Sequence, residues 1–472
     1  MSVSTPPVFA PRPPGRVLPT LNEDGSRLWL RPKWVEGPRA AKRRALAYVL
    51  MAIYLGLPHL RIGDKPALLL NFPRREFTIL GTTFLPTDTL LLMLLFISLL
   101  IGIFLLTALF GRAFCGWACP QTVWMEFLFR PIERLFEGGE RGSLRMDREK
   151  GTFHWRRWAK NATYLLIAVV LGNTFLAYFV GTENLFHWMQ HSPAAHPTAF
   201  AVMGIFSGAV FFDFAYFREQ TCLVACPYGR WQSALLDRQS LIVAYDYNRG
   251  EPRGKGKQRY GLGACVDCGQ CVAVCPTGID IRNGLQMECI HCTQCMDACD
   301  AVMDKVGQPR GLVRYTSRAA LEGAGKRFLR ARTVLYPLAF SVFFGGFLYA
   351  LGTKDTADVT LLGSTGTPFT VDAAGLVVNQ VRIKIANRSG DPQAYRISLH
   401  GVPEATMIAP MNPLRVEPGR SEMTSVFVTL PAEEFTGGVR TVTFHVSAGD
   451  GFAGDFAYRL AGPVHVPGED EQ

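Results

Sequence analysis

The chain has 472 residues, 48% of them apolar, and a formal charge of +10. It is too long for one small soluble domain, and its apolar residues fall in long uncharged stretches separated by Arg-rich ones, the pattern of a multi-span membrane protein. From Gly352 onward acidic residues outnumber basic ones 14 to 9, and the basic excess of the rest flanks apolar stretches. Membrane topology accounts for such charges, so no nucleic-acid partner is expected.

The first residues are Pro-rich and have no apolar core before about Ala45, so no cleaved signal peptide is expected. Five spans are predicted: Ala45–Leu60, Thr87–Phe110, Tyr164–Val180, Ala199–Phe217 and Val334–Leu351. The first is short and carries Pro58 and His59. The segments before the first span, between spans two and three, and between spans four and five hold 9, 10 and 17 Lys/Arg, whereas Gly181–Pro197 holds none. The positive-inside rule then predicts a bacterial inner-membrane protein with its N-terminus and cysteine clusters cytoplasmic and its C-terminal domain periplasmic. The expected organisation is a cytoplasmic segment (1–44), a four-span membrane domain (45–240), a ferredoxin-like insert (241–332), a fifth span (333–351) and an outer domain (352–472).

All 12 cysteines sit in four clusters. The first two are Cys115-Gly-Trp-Ala-Cys119-Pro120 and Cys222-Leu-Val-Ala-Cys226-Pro227. They end two matched halves: Phe110 and Phe217 stand five residues before the first cysteine, Ala118 and Ala225 precede the second, and Trp124 and Trp231 follow it by five. This suggests a duplication. On a continuous helix, cysteines four apart share a face and can grip a metal, although the following proline disfavours helix at the second cysteine. If the halves meet, Cys115, Cys119, Cys222 and Cys226 make one thiolate site, suited to Cu(I) and open also to zinc, an iron–sulfur centre or a redox dithiol. Two buried apolar cysteine pairs are the plain alternative.

The other clusters are Cys265-x2-Cys268-x2-Cys271-x3-Cys275-Pro276 and Cys289-x2-Cys292-x2-Cys295-x3-Cys299. Three thiolates at steps of three wrap a corner of an iron–sulfur cube, and the fourth ligates the neighbouring cluster. Cys265, Cys268, Cys271 and Cys299 are therefore expected to hold one [4Fe–4S] cluster, and Cys289, Cys292, Cys295 and Cys275 a second. Paired zinc sites are the plain alternative. The second run has Asp300 where Pro is usual. Gly263, Gly269 and Gly278 fit tight turns there. Tyr247–Tyr260, basic and Gly-rich, reads as a linker. Asp213 in span four is expected to pair with Arg218, with proton relay as the alternative. His187, Met189, His191 and His196 crowd one outer loop and are weighed as a site of copper uptake against a bystander role. From Asp372 onward, short strands (Leu376–Ile385, Tyr395–His400, Thr424–Leu430, Val439–Val446, Phe456–Leu460) separated by turn residues predict an immunoglobulin-like all-β sandwich, with partner docking as its expected role.

Together these features resemble the cytochrome c oxidase accessory proteins of the CcoG (FixG/RdxA) family, over nearly the whole chain. Leu68-Leu-Leu-Asn-Phe-Pro-Arg-Arg75, Phe127-Leu-Phe-Arg-Pro-Ile-Glu-Arg134 and Cys289-Ile-His-Cys292 look like family signatures. The resemblance implies an inner-membrane iron–sulfur protein that reduces Cu(II) to Cu(I) for assembly of cbb3-type oxidase. Cys115, Cys119, Cys222 and Cys226 would bind copper, and the eight insert cysteines two [4Fe–4S] clusters. Expected partners are membrane lipid, oxidase assembly factors, a P-type copper ATPase and an unidentified electron donor. The same spans and motifs are also similar to NapH-type subunits, which carry electrons from quinol to a reductase. An assembly scaffold whose clusters only stabilise the fold is a third possibility.

Overall fold

The computed structural model describes residues 19–464 apart from 23, 64, 73–75, 85–87, 150–153, 257–259, 325–328, 354, 365, 390 and 450. Pro73, Arg74 and Arg75 of the first signature, and residues 257–259 of the linker, lie outside the described residues. The chain forms two compact units, one holding the helices and the cysteine clusters and the other the C-terminal strands.

In the first unit, four helices are long and apolar enough to cross a membrane: α2 (Thr89–Phe110), α3 (Trp155–Val180), α4 (Pro197–Phe217) and α5 (Ala331–Gly352). The expected first span differs. Its helix, α1 (Pro38–Gly56), starts seven residues before Ala45 and takes in Lys42, Arg43 and Arg44, so it is not among the four. The cause is a tertiary contact: Arg43 is buried, and its Nε donates to the Gly116 carbonyl at 2.9 Å, which carries the helix back through the basic residues. The far end of α1 lies along α3, where Tyr54 Oη donates to the Leu171 carbonyl at 3.2 Å and Tyr178 Oη to the Tyr54 carbonyl at 2.8 Å.

Small and aromatic residues set the helix contacts. Gly172 of α3 faces Ser207 of α4, and a Cβ there would collide with the serine hydroxyl. Phe175 stacks on Phe206 at 3.9 Å. Ala108, near the end of α2, accepts from Arg330 at the start of α5, and Phe340 of α5 packs on Gly102. α5 therefore runs antiparallel to α2, and α4 antiparallel to α3.

The ferredoxin-like insert is closed by one strand pair, β1 (Ile242–Tyr245) and β2 (Val313–Thr316), antiparallel with Ile242 opposite Thr316. Its core is Val243, Tyr245, Ile279, Met296, Met303 and Leu312 with buried cysteines. The described part of Tyr247–Tyr260 is not a free linker. Ala264 N–H donates to the Arg249 carbonyl at 2.9 Å and Gly263 N–H to Pro252 at 2.9 Å, folding the stretch onto the insert. Such packing needs Gly263, whose Cβ would stand 2.5 Å from the Gly250 backbone.

The second unit is a two-sheet sandwich. Its strands, apart from the two-residue Thr370–Val371, are β3 (Ala357–Gly363), β4 (Leu376–Asn387), β5 (Gln393–His400), β6 (Thr406–Ile408), β7 (Leu414–Val416), β8 (Ser421–Pro431), β9 (Val439–Ala448) and β10 (Phe452–Ala461). One sheet has the order β6-β8-β4-β3, the other β7-β5-β9-β10. Val377, Val381, Ile383 and Ile385 alternate inward along β4 and meet Val426, Val428 and Leu430 of β8 in a cysteine-free core. The strand β3 lies before Asp372, where the sequence pattern shows no strand; it pairs with β4, Val381 opposite Gly363.

Candidate iron–sulfur and thiol centre

The two ferredoxin-like runs share one backbone. In each, the residues on either side of the second cysteine are left-handed: Asp267 (φ 51°) and Gly269 (φ 68°) in the first, His291 (φ 54°) and Thr293 (φ 65°) in the second. A β-branched threonine in that region is strained, and such strain persists where the surroundings impose it. Alternating the backbone this way turns successive N–H groups inward, a concavity that suits anionic sulfur.

The thiols fall into two sets, and each set crosses between runs. Burial raises the Cys299 thiol to about 12, and Cys271, Asp300, Cys265 and Cys268 push it the same way. Burial likewise raises Cys289 to about 12, reinforced by Cys292 and Cys275. Cys299 thus stands among the first run's thiols and Cys275 among the second's. Cys275, Cys289, Cys292 and Cys295, with Cys271 at the border between the sets, also wall one small apolar cavity. Eight thiols so grouped, with strained turns between them, fit two cubic clusters. Asp300 in place of proline has a structural cause. Cys299 lies inside the helix Gln294–Lys305, where a proline would break the helix. The aspartate instead accepts from Gly311 N–H at 2.8 Å and from Arg39 at 2.8 Å.

The membrane-edge pairs repeat a second backbone. The residue after each apolar helix is left-handed: Gly111 at φ 60°, ψ −131°, and Arg218 at φ 57°, ψ −122°. Each second cysteine is extended, Cys119 at φ −60°, ψ 127° and Cys226 at φ −76°, ψ 109°. Each donates its N–H to a carbonyl five residues back, to Phe114 at 2.9 Å and to Thr221 at 2.8 Å. The two cysteines of a pair therefore do not ride one continuous helix. The proline that follows opens a new helix and forces the break. The halves do meet. Burial raises Cys222 to about 12, with Cys119, Cys115 and Cys226 adding to it, and raises Cys115 to about 11 against the pull of Arg112. Cys115 Sγ also donates to Gln232 Oε1 at 2.8 Å, across the halves. Among the described residues, no three His, Cys, Asp or Glu stand at the spacing of ligands to one metal ion.

Cys115 shares one buried apolar cluster with Ile290 and Cys292 of the second run. Gly116 allows this approach: its Cβ would lie 2.5 Å from the Ile290 carbonyl oxygen and 2.8 Å from the Cys292 backbone. His291, fully buried, accepts the Arg112 N–H on Nδ1 at 3.2 Å. Burial and then Arg112 lower the His291 imidazole to about 3. It is neutral and ties the second run to the turn that leads to Cys115. In contrast, Cys268 of the first run is exposed.

Beneath the pairs lies an ionic network that the sequence reading missed. Arg218 donates to both Glu133 oxygens at 3.0 Å, Arg31 also binds Glu133, and Lys160 binds Glu137 at 2.7 Å. The signature Phe127–Arg134 was visible as a motif, but its partners are far away in sequence. The pairing expected between Asp213 and Arg218 side chains is not formed: Asp213 accepts from Thr221 Oγ1 while Arg218 turns to Glu133. In the loop between α3 and α4, the His191 ring lies tilted 4.4 Å from that of His187, and His196 stacks on Trp188 at 4.2 Å. The imidazoles are thus engaged in pairs, and Met189 lies exposed beside them.

Three domain families match this chain: a 4Fe-4S binding domain over residues 92–138, a 4Fe-4S dicluster domain over 217–318, and the IG-like fold at the C-terminus of FixG over 347–462. Protein RdxA of Cereibacter sphaeroides is 35% identical over 412 residues, 84% of either chain. The nitrogen fixation protein FixG of Rhizobium meliloti is 33% identical over 86% of this chain and 87% of its own. RdxB of C. sphaeroides is 33% identical over 89% of each. With its membrane helices, two cysteine runs and C-terminal sandwich, the chain belongs to the FixG/RdxA family of membrane iron–sulfur proteins.

Proposed function

We propose that this iron–sulfur electron-transfer protein reduces Cu(II) to Cu(I) at its membrane-edge thiols, for delivery through a P-type copper ATPase and assembly factors to a cbb3-type oxidase. In this reading the N-terminus and the cluster insert are cytoplasmic and the sandwich is periplasmic. Cys265, Cys268, Cys271 and Cys299 would hold one [4Fe–4S] cluster, and Cys289, Cys292, Cys295 and Cys275 the other. When bound, such clusters supply one-electron transfer over a range of potentials set by charge, hydrogen bonds and exposure.

The observation that carries the reading is the packing of Cys115 against Cys292. Cys115 shares one buried cluster with Ile290 and Cys292 of the second cluster site, while the exposed Cys268 leaves the first site open to a soluble donor. The chain's own residues arrange the rest. Gly116 permits the contact, Gln232 orients the Cys115 thiol, and Arg112 pulls its pKa down against burial. Cys115 and Cys222 are protonated at neutral pH in the metal-free chain, so copper binding releases protons and tightens as pH rises. Thiolates favour Cu(I) over Cu(II), which makes one-electron reduction of the bound ion easier.

A second reading is favoured by the 4Fe-4S domain match over 92–138, a stretch whose cysteines are Cys115 and Cys119. Here the four membrane-edge thiols hold a third cluster, whose cube would spread its ligands wider than one ion does. Metal analysis of anaerobically purified Cys119→Ser and Cys226→Ser variants separates the two. Under the copper reading, copper and cupric reduction are lost and iron stays near eight per chain; under the other, iron falls from about twelve. Full cupric reduction by both variants would place the copper chemistry elsewhere.

A further inference from the structure

Two arginines are buried beside the second cysteine run, Arg43 at 1% exposure and Arg112 at 3%. Arg43 Nε donates to the Gly116 carbonyl at 2.9 Å, and a Cβ on Gly116 would stand 2.8 Å from the Cys292 backbone. Arg112 brackets the run: its backbone N–H donates to His291 Nδ1 at 3.2 Å, and its Nη1 donates to the carbonyl of Met287, just before Cys289. These partners are backbone carbonyls and a neutral imidazole. Among the described residues, neither guanidinium forms a salt bridge with a carboxylate. Glu126, the carboxylate that also acts on Cys292, is paired with Arg130.

The first cysteine set is surrounded differently. At the backbone position that His291 holds in the second run, the first run carries Asp267. Arg282 is shared between Asp267 at 2.6 Å and Asp280 at 2.7 Å, and Arg39 between Asp297 at 3.0 Å and Asp300 at 2.8 Å. Each of these groups has one carboxylate in excess. Arg253, which also acts on Asp280, is exposed, so its charge is screened by water. The thiols register the contrast. Burial raises Cys292 to about 11 against the pull of Arg43, whereas it raises Cys299 to about 12 with Asp300 adding to it.

A thiolate-bound iron–sulfur cube is an anion, and reduction adds one more electron to it. Burial resists that gain of charge. It weighs more on the second set, since Cys268 of the first is exposed and no thiol of the second is. A buried cation without a carboxylate partner works the other way, because its own cost falls as negative charge builds opposite it. We infer that Arg43 and Arg112 are the counter-charges of the second cluster site. They raise its affinity for an electron above what burial alone would leave, and so favour transfer away from the exposed first site, towards Cys115. The inference rests on the assignment of the eight thiols to two clusters.

The test is a potentiometric titration of the anaerobically purified full-length protein, followed by electron paramagnetic resonance, with iron and sulfide measured on the same samples. Wild type should show two one-electron couples. Arg43→Gln should lower the reduction constant of one couple about tenfold, which is about 59 mV for one electron, and leave the other in place. Arg43→Lys, which keeps the charge, should shift it far less. Arg112→Gln should lower the same couple, and it carries the test should Arg43→Gln fail to retain iron. Arg282→Gln should lower the other couple. Two couples that Arg43→Gln and Arg112→Gln leave unmoved, an equal shift in Arg43→Lys, or a shift of the same couple by Arg282→Gln overturns the inference alone. Fewer than two couples in wild type overturns the cluster assignment and the inference with it.

Discussion

Replacing Glu133 by Gln keeps shape and removes one charge from the network under the thiol pairs. Glu133 is 5% exposed, and Arg218, itself 3% exposed, donates to both its oxygens at 3.0 Å. Arg31 binds it too, and Lys160 lies 3.9 Å away. After the change, Arg218 keeps one amide oxygen at position 133 and a single carboxylate, Glu219, at 3.6 Å. Breaking a buried pair from one side costs about 3–5 kcal/mol, because the remaining charge is stranded. The assay is reversible thermal or denaturant unfolding of the purified protein in detergent, with a double-mutant cycle that adds Arg218→Gln. The double variant should be less damaged than the two single costs added together. A Glu133→Gln cost below about 1 kcal/mol would refute the reasoning and mean that water reaches the network.

The same pair fixes an acid limb. Burial pushes the Glu133 carboxyl up, but Arg218, Arg31 and Lys160 outweigh it and hold it at about 2, against an ordinary 4.5. A depressed carboxyl stabilises the fold fully above its unfolded pKa and loses that contribution as pH falls through the folded one. The shift is worth about 3 kcal/mol. The stability gap between wild type and Glu133→Gln should therefore be constant above about pH 5 and close as pH falls towards 2.

Other outcomes follow from the cysteine runs. Gly116→Ala should cost about 1–3 kcal/mol, since its Cβ meets backbone that cannot rotate away. With iron content intact, it should also slow cupric reduction by parting Cys115 from Cys292; an unchanged rate would remove that contact from the route. Gly269→Ala meets nothing within 4 Å, so its cost should be conformational alone, about 1 kcal/mol for φ 68°. Copper affinity measured from pH 6 to 9 should rise with pH as Cys115 and Cys222 give up protons, and a flat profile would place the copper ligands elsewhere.

The parts of this centre that were legible in the sequence are those where chemistry dictates spacing. Steps of three between thiols are the spacing of a 4Fe-4S dicluster domain, the family that matches residues 217–318. Alternating apolar residues likewise announced the strand Leu376–Asn387. What stayed hidden depends on partners distant in the chain. Hydropathy treats Arg43 as solvent-seeking, so it shortens the first helix, although a carbonyl 73 positions away holds the guanidinium inside. Glu133 and Arg218 are separated by 85 residues and could not be matched by pattern. The Cys-x3-Cys spacing suggested a single helical face. The proline after it carried the better signal, because it forbids the helix that the face requires.

Two duplications meet in this chain, and each conserves backbone more strictly than side chain. Gly269 and Thr293 occupy one left-handed position, and Gly111 and Arg218 another. In each pair, one copy uses glycine, for which the conformation is relaxed, and the other bears a side chain that strains it. Both strained residues are fully or almost fully buried. Their surroundings account for the difference. Arg218 accepts a poor φ because its guanidinium closes on Glu133, and Thr293 sits in the run that Cys115 packs against. At these two positions the strain lies in the half whose Arg218 pairs with Glu133 and in the cysteine run that packs on the other half, at Gly116.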